Sequence, residues 1–488
     1  MSAACVMVLG TTSGAGKSWL TTALCRWYAR QGLRVAPFKA QNMSNNARVV
    51  PGPQGRFGEI GSAQYFQALA ARVRPEVRMN PVLLKPEADT RSQVLVLGEV
   101  DHEMSQAPWR GRSRKLWPIV ERTLQDLRAD HDVVVIEGAG SPAEINLREN
   151  DIVNMEVALA AQAACLLVTD IDRGGAFAHL FGTHQLLAGP ERALIRGFVL
   201  NRFRGDASLL SPGPEQLQAL TGVPTVGVLP MWWGHGLPEE DGVFDDRATG
   251  RDGLRIAVVA YPRLSNLDEF QPLRNMPHVR LSWARRPQDL DGADWIILPG
   301  SKHTSADLAW MRAQGLDAVI QQHAAAGRPV LGLCGGLQML GEALVDPHGI
   351  DGNAAGLGLL PLVTQFECDK TVRDSEVRFG PLSGCWSALS DVAWRGYEIH
   401  HGQTVPHPSM SAPQPAIRSA AGEVLGWQQG SVLGLYTHGF FESPEVMQAL
   451  FQAQAPKPLD EVFDGLADFV EAHMGRDTLM GLLRPAQG

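Results

Sequence analysis

Nine residues constrain this chain more than any others: Gly10-Thr11-Thr12-Ser13-Gly14-Ala15-Gly16-Lys17-Ser18. They follow the apolar run Val6 to Leu9 and precede a segment with helical spacing that stops at Gly32. Strand, glycine loop and helix together make a phosphate-binding loop. Glycines let backbone N–H groups point at phosphate oxygens, the helix N-terminus adds positive potential, and the lysine neutralises charge. The Ser18 hydroxyl is a candidate Mg²⁺ ligand. Five residues separate Gly10 from Gly16, where the usual spacing has four. The competing reading is a glycine turn that happens to precede a helix. A loop of this kind belongs at the C-terminal edge of a parallel sheet, so it predicts a doubly wound α/β domain.

The rest of the first half supports that class. "LRVAPFKA", "DVVVIEGAG", "ACLLVTD" and "IRGFVLNRF" are β-rich runs closing in polar or glycine residues, with helix-length segments between them. Glu137 ends one such run, where a carboxylate holding Mg²⁺ would sit; the alternative is a carboxylate capping the next loop. Asp170, Asp172 and Arg173 follow another strand and are candidates for phosphate or substrate contact, against a plain loop. The stretch His235 to Gly253 is acidic, glycine-rich and without apolar period, which reads as a linker. The alternation then restarts in "LRIAVVAYP", "VRLSWAR", "ADWIILPGS" and "RPVLGLCGG". The boundaries are therefore 1–234 for an N-terminal domain, 235–253 for the linker, 254–445 for a C-terminal domain and 446–488 for a helical tail. Both domains are expected to be doubly wound with mainly parallel sheets.

In the second domain, Gly332-Leu333-Cys334-Gly335-Gly336 has the form G-x-C-x-G, a nucleophile elbow with cysteine as the nucleophile. A tight strand-to-helix turn presents the sulfur, and the helix N-terminus favours thiolate. The N–H of Gly335 is one candidate oxyanion donor, and Gly300 and Ser301 in "LPGSKHT" offer another. Gln338, one turn into the helix, is a candidate glutamine contact. A lone cysteine is more often a small buried hydrophobe, but glycines on both sides are poor helix formers around a core residue. A thiolate needs a base. His438 in "GLYTHGFFE" is the best placed, with His400 and His401 in "RGYEIHHG" as rivals. Glu442, four residues on, is the candidate orienting carboxylate.

These residues carry a family resemblance. "PGS", "GLCGGLQMLG" and "YTHGFFE" resemble a class I glutamine amidotransferase domain. The five-residue loop spacing resembles dethiobiotin-synthetase-like P-loop proteins. "FKAQNMSNNA", "EIGSAQ", "NPVLLKP", "IEGAGSPAEINL", "DIVNM", "DIDRGGAFAHL", "LPGSKHT" and "RGYEIHHG" resemble the cobyric acid synthase family, from Val6 to Phe441. The resemblance implies an N-terminal ATP-dependent amidoligase domain fused to an amidotransferase domain. It implies amidation of the b, d, e and g carboxylates of adenosyl-cobyrinic acid a,c-diamide, with ATP, Mg²⁺ and L-glutamine. ATP phosphates would lie on Gly10 to Ser18, Mg²⁺ on Ser18 and Glu137. Lys39, Gln41, Asn42 and Asn45 join Asp170, Asp172 and Arg173 as substrate or phosphate contacts. Related a,c-diamide synthases carry an aspartate at the position of Asn42. Class I enzymes often place a glutamate two residues after the histidine, where this chain has Phe440, so the site reduces to a Cys–His pair unless Glu442 orients the histidine. "WRGRSRK" (109–115) and "ARVRPEVR" (71–78) are basic runs that a polycarboxylate could use, or solvated helix faces.

Composition narrows the alternatives. A chain of 488 residues with 44% hydrophobic and 19% charged residues is folded and too long for one core. Lys plus Arg total 43 against 52 Asp plus Glu, and the net charge of −9 disfavours nucleic acid. Six cysteines without a C-x-x-C pair fit a reducing cytoplasm. The N-terminus lacks the basic region of a signal peptide, and no run approaches a membrane span. A switch ATPase would share the deviant loop but has no use for the cysteine elbow. An amidoligase for other acids, the a and c carboxylates or a cell-wall lipid intermediate, is disfavoured by "AQNMSNN".

Overall fold

The structure is a computed structural model that describes residues 3–88, 91–238, 253–452 and 458–484, without the side chains of residues 88, 109 and 110. The strand Ala4–Gly10 is a continuous apolar run because both of its faces are covered. Val6 and Val8 meet Leu20 and Leu24 of the helix Lys17–Arg30. Met7 and Leu9 share the opposite core with Leu116, Val120 and Leu124 of the helix Trp109–Asp130. That strand lies inside a six-stranded sheet. Its order is Thr225–Pro230, Ile195–Phe203, Ala164–Asp170, Ala4–Gly10, Val133–Glu137 and Val35–Phe38. Every pairing in it is parallel. The phosphate loop and Glu137 therefore leave adjacent strands at one edge.

Residues 41–100 add small sheets at that edge, parallel where Gln41–Met43 joins and antiparallel elsewhere. Gln41–Met43 pairs with Val82–Ala88, and Ala47–Pro51 forms a hairpin with Phe57–Gly61.

The second sheet starts with five parallel strands, in the order Val279–Ala284, Leu254–Val259, Trp295–Leu298, Val330–Leu333 and Val432–Leu435. It continues antiparallel through Val424–Gln429 and Gln414–Ser419 to the long hairpin of Leu362–Phe379 with Ala393–Pro406. Cys334 ends the fourth strand of the parallel part, next to the strand whose end leads to His438.

The expected linker at 235–253 falls mostly on residues 239–252, which lie outside the described residues. Leu237 still packs in the N-terminal core. The tail divides between the domains. Val446 and Met447 of the helix Pro444–Phe451 belong to the C-terminal core. The helix Leu459–Met474 returns to the N-terminal domain, with Val462, Phe463, Leu466 and Val470 in its core. Arg26 Nε donates to Asp464 at 2.8 Å and Trp27 Nε1 to Glu471 at 2.7 Å. All six cysteines are free thiols. Among the described residues, no helix is long and apolar enough to cross a membrane.

Candidate active sites

At the cysteine corner the backbone is strained. Cys334 has φ 51° and ψ −106°, a conformation that a residue with a side chain rarely adopts. Its N–H donates to Leu435 O at 2.7 Å, which ties the turn to the neighbouring strand. The glycines are steric necessities. A β-carbon on Gly336 would lie 1.9 Å from Leu298 O. One on Gly335 would lie 2.8 Å from Ser301 N, so the two residues expected to bind an oxyanion pack against each other. Gly300, the other candidate there, is as tightly held: a β-carbon would lie 3.0 Å from His438 Cε1.

His438 is buried, with the Cys334 sulfur near enough on one side to act on its charge. On the other, its Nδ1 is 2.9 Å from Glu269 Oε2, and both side chains are 1% exposed. Burial opposes the imidazolium, but the Cys334 sulfur and the Glu269 carboxylate outweigh it and raise the pKa to about 10. The ring stacks on Tyr397 at 5.3 Å between centroids. Sulfur, imidazole and the Glu269 carboxylate are thus brought together. The carboxylate is not Glu442, the candidate from spacing. Glu442 lies in a short turn after left-handed Gly439 and reaches Arg48 of the N-terminal domain, at 2.8 Å from Nη1. Glu269 comes from 169 residues upstream, so no local spacing could reveal it.

The rival histidines are occupied elsewhere. His400 has Nδ1 at 2.8 Å from Gly402 O and Nε2 at 3.2 Å from Glu398. His401 contacts Glu367 O, and burial beside Lys370 lowers its pKa to about 4. Gln338 is buried, its Oε1 accepting from Thr304 Oγ1 at 3.0 Å and its Nε2 lying 3.5 Å from Tyr436 Oη.

The phosphate loop has the expected build. Gly16 has φ 97°, and a β-carbon there would strike Asn201 Nδ2 at 2.1 Å; Asn201 in turn donates to Ala15 O. Lys17 Nζ donates to Thr12 O, Ser13 O and Gly140 O. Glu137 is the hub. Ser18 Oγ and Lys39 Nζ each donate to Oε1 at 2.8 Å, and Gln67 donates to Oε2 at 2.5 Å. Burial alone would raise this carboxyl's pKa, but Lys39 and those donors hold it below the ordinary range. Gln64 links the hub to Asn42, whose Nδ2 donates to Gln64 Oε1 at 3.2 Å. Gln64 and Gln67 were not anticipated as part of the hub, although Gln64 closes the "EIGSAQ" motif.

Arg173 is brought to the loop, since a β-carbon on Gly14 would sit 3.6 Å from Arg173 Nη2. Asp170 pairs with Arg202 at 3.0 Å and with Arg173 at 3.4 Å. Asp172 faces Arg204 instead, at 2.7 Å from Nε. Gln41 is half-buried at the start of its strand, and Asn45 has a buried Oδ1 without a partner among the described residues. Of the basic runs, Arg112 is buried against Met104 O, Lys115 pairs with Glu103, and Arg78 pairs with Glu76 and Asp130.

Comparison with known proteins places both halves in described families. The CobQ/CobB/MinD/ParA nucleotide binding domain family matches residues 6–232. The CobB/CobQ-like glutamine amidotransferase domain family matches residues 255–446. Cobyric acid synthase of Leptothrix cholodnii is 68% identical, over 99% of this chain and 97% of its own. That of Methylibium petroleiphilum is also 68% identical with the same coverage, and that of Variovorax paradoxus is 68% identical over 99% of this chain and 100% of its own.

Proposed function

The chain belongs to the cobyric acid synthase family, and from that premise we propose how its two sites divide the work. The reaction is amidation of the b, d, e and g carboxylates of adenosyl-cobyrinic acid a,c-diamide, with nitrogen from glutamine and energy from ATP. The observation that carries the assignment of the glutaminase half is the strained Cys334 joined to His438 and Glu269.

The Cys334 sulfur attacks the amide carbon of glutamine. The N–H groups of Gly335 and Ser301 stabilise the oxyanion. His438 holds the proton from the sulfur and delivers it to the departing nitrogen, which releases ammonia and leaves a glutamyl thioester. Glu269 fixes the imidazole through Nδ1 and stabilises its cation. Water then cleaves the thioester to glutamate and restores the thiol. Gln338 shapes the glutamine pocket.

At the N-terminal site, residues Gly10 to Ser18 hold the ATP phosphates, with Lys17 and Arg173 supplying charge. A corrinoid carboxylate attacks the γ-phosphate and ADP leaves. Ammonia attacks the resulting acyl phosphate, and inorganic phosphate departs. Ser18 Oγ and Glu137 Oε1 are hard oxygen donors 2.8 Å apart, which suits Mg²⁺ with its few protein ligands. The ion would neutralise phosphate charge there. Lys39, Gln41, Asn42, Asn45 and Asp170 border this site as candidate substrate contacts; Asp172, held by Arg204, is the weakest of the group. Cytoplasmic residence fits the six free thiols.

Cys334→Ala tests the division. It is expected to abolish glutamine-dependent amidation while high ammonia still supports product formation. Persistent glutamine hydrolysis would refute the role given to Cys334.

A further inference from the structure

Arg48 is a cation from the N-terminal domain, 2% exposed, lodged directly behind the glutaminase triad. Its Nε donates to Asp268 Oδ2 at 2.8 Å, and its Nη1 donates to Glu442 Oε2 at 2.8 Å. Three rings surround the guanidinium: Tyr65 and Phe66 from its own domain, and Tyr397 at 5.1 Å. Tyr397 is the ring that stacks on His438.

The four residues before and including the triad carboxylate are all engaged. Asn266, in the left-handed region at φ 58°, donates from Nδ2 to Ala47 O at 2.9 Å and to Tyr397 Oη at 2.7 Å. Leu267 N donates to Asn46 Oδ1 at 2.9 Å. Asp268 takes Arg48, and Glu269 takes His438. Three consecutive residues of this turn are thus held by Asn46, Ala47 and Arg48, and the fourth is the catalytic carboxylate.

We infer that Arg48 is a positioning residue of the glutaminase centre, supplied by the opposite domain: it holds the Asn266–Asp268 turn and Tyr397 so that Glu269 meets His438. The inference rests on reading Cys334, His438 and Glu269 as the glutaminase. Arg48 touches neither substrate nor reacting atoms. A planar guanidinium can hold Asp268 and Glu442 at once while presenting its faces to aromatic rings, which an ammonium cannot. The glutaminase centre is accordingly complete only with the N-terminal domain docked.

The test uses the full chain and measures glutamate release from glutamine beside amidation driven by ammonia. Arg48→Met is expected to lower the kcat for glutamine at least tenfold, with KM for glutamine little changed and ammonia-driven amidation close to the parent. Arg48→Lys, which keeps the charge but not the fork, is expected to recover part of that kcat. Unchanged glutamine turnover in Arg48→Met overturns the inference. So does an equal fall of both activities, because that is general damage to the interface. If Arg48→Met does not fold, Asp268→Asn replaces it: the same selective loss in kcat supports the inference, and parental kcat overturns it. Cys334→Ala runs alongside. Glutamine hydrolysis surviving in it would overturn the glutaminase reading itself, whereas its loss beside a normal Arg48→Met overturns the role of Arg48 alone.

Discussion

His438 lies buried between a sulfur and a carboxylate, and that setting decides its charge. Because its pKa in the fold is raised to about 10 from an ordinary 6.5, the protonated form favours the folded state. That stabilising contribution is complete below about pH 6.5 and is lost as the pH rises through about 10. Glutamine hydrolysis is therefore expected to hold up well into the alkaline range and to fall near pH 10, as a pH–rate profile would read directly. Glu269→Gln should cut glutamine kcat by up to about 10⁴, the loss that follows when the carboxylate orienting a catalytic histidine becomes an amide. Glu442→Gln should cost less than about tenfold, since Glu442 contacts Arg48 and not His438, and Arg48 keeps Asp268 as its partner. Equal losses in the two variants would reject Glu269 as the orienting group. Cys334 and His438 were legible in the sequence because each sits in a short local pattern, a glycine elbow and a strand end. Glu269 and Arg48 were not. Their partners are set by how two distant segments pack, and "NLDEF" and "NNARVV" carry no spacing that announces it.

Among the elements, the strands that carry chemistry could be read from their apolar runs. The strands at Val133–Glu137 and Val330–Leu333 lie within the runs expected, and Ala4–Gly10 extends the run Val6 to Leu9 at both ends. The short pieces in residues 41–100 could not, because strands such as Gln41–Met43 are defined by pairing with Val82–Ala88 and not by their own three residues. The helix Leu459–Met474 shows both sides of this. Its spacing predicts a helix with one apolar face, but not that the face belongs to the N-terminal core. Leu466 is fully buried there. Leu466→Ala should destabilise that domain by about 2–5 kcal/mol. Urea unfolding followed by tryptophan fluorescence would show the lowered midpoint; an unchanged midpoint would mean the helix is not part of that core.

Over the whole molecule, the two active sites are joined by one short segment. Lys39 sits on Glu137 at the phosphate site, Asn42 reaches the same carboxylate through Gln64, and Asn46, Ala47 and Arg48 hold the turn that carries Glu269. Behind Cys334, whose sulfur is 3.5 Å from Ile399 O, the Ile399 side chain packs on Ala47, Leu83 and Leu95 of the N-terminal domain. Charged pairs add to the same interface, Lys302 with Glu87 at 3.1 Å and Lys370 with Glu59. Ammonia is protonated in bulk water and then is no nucleophile, so a glutaminase built against its acceptor domain has a chemical purpose. The central claim is that nitrogen released at Cys334 becomes the corrinoid amide. It is tested most directly by incubating the enzyme with adenosyl-cobyrinic acid a,c-diamide, ATP, Mg²⁺ and amide-¹⁵N glutamine in excess unlabelled ammonium, then weighing the product by mass spectrometry. The account predicts cobyric acid with a ¹⁵N amide at each of the b, d, e and g positions; product carrying only unlabelled nitrogen, or no amidated corrinoid at all, would contradict it.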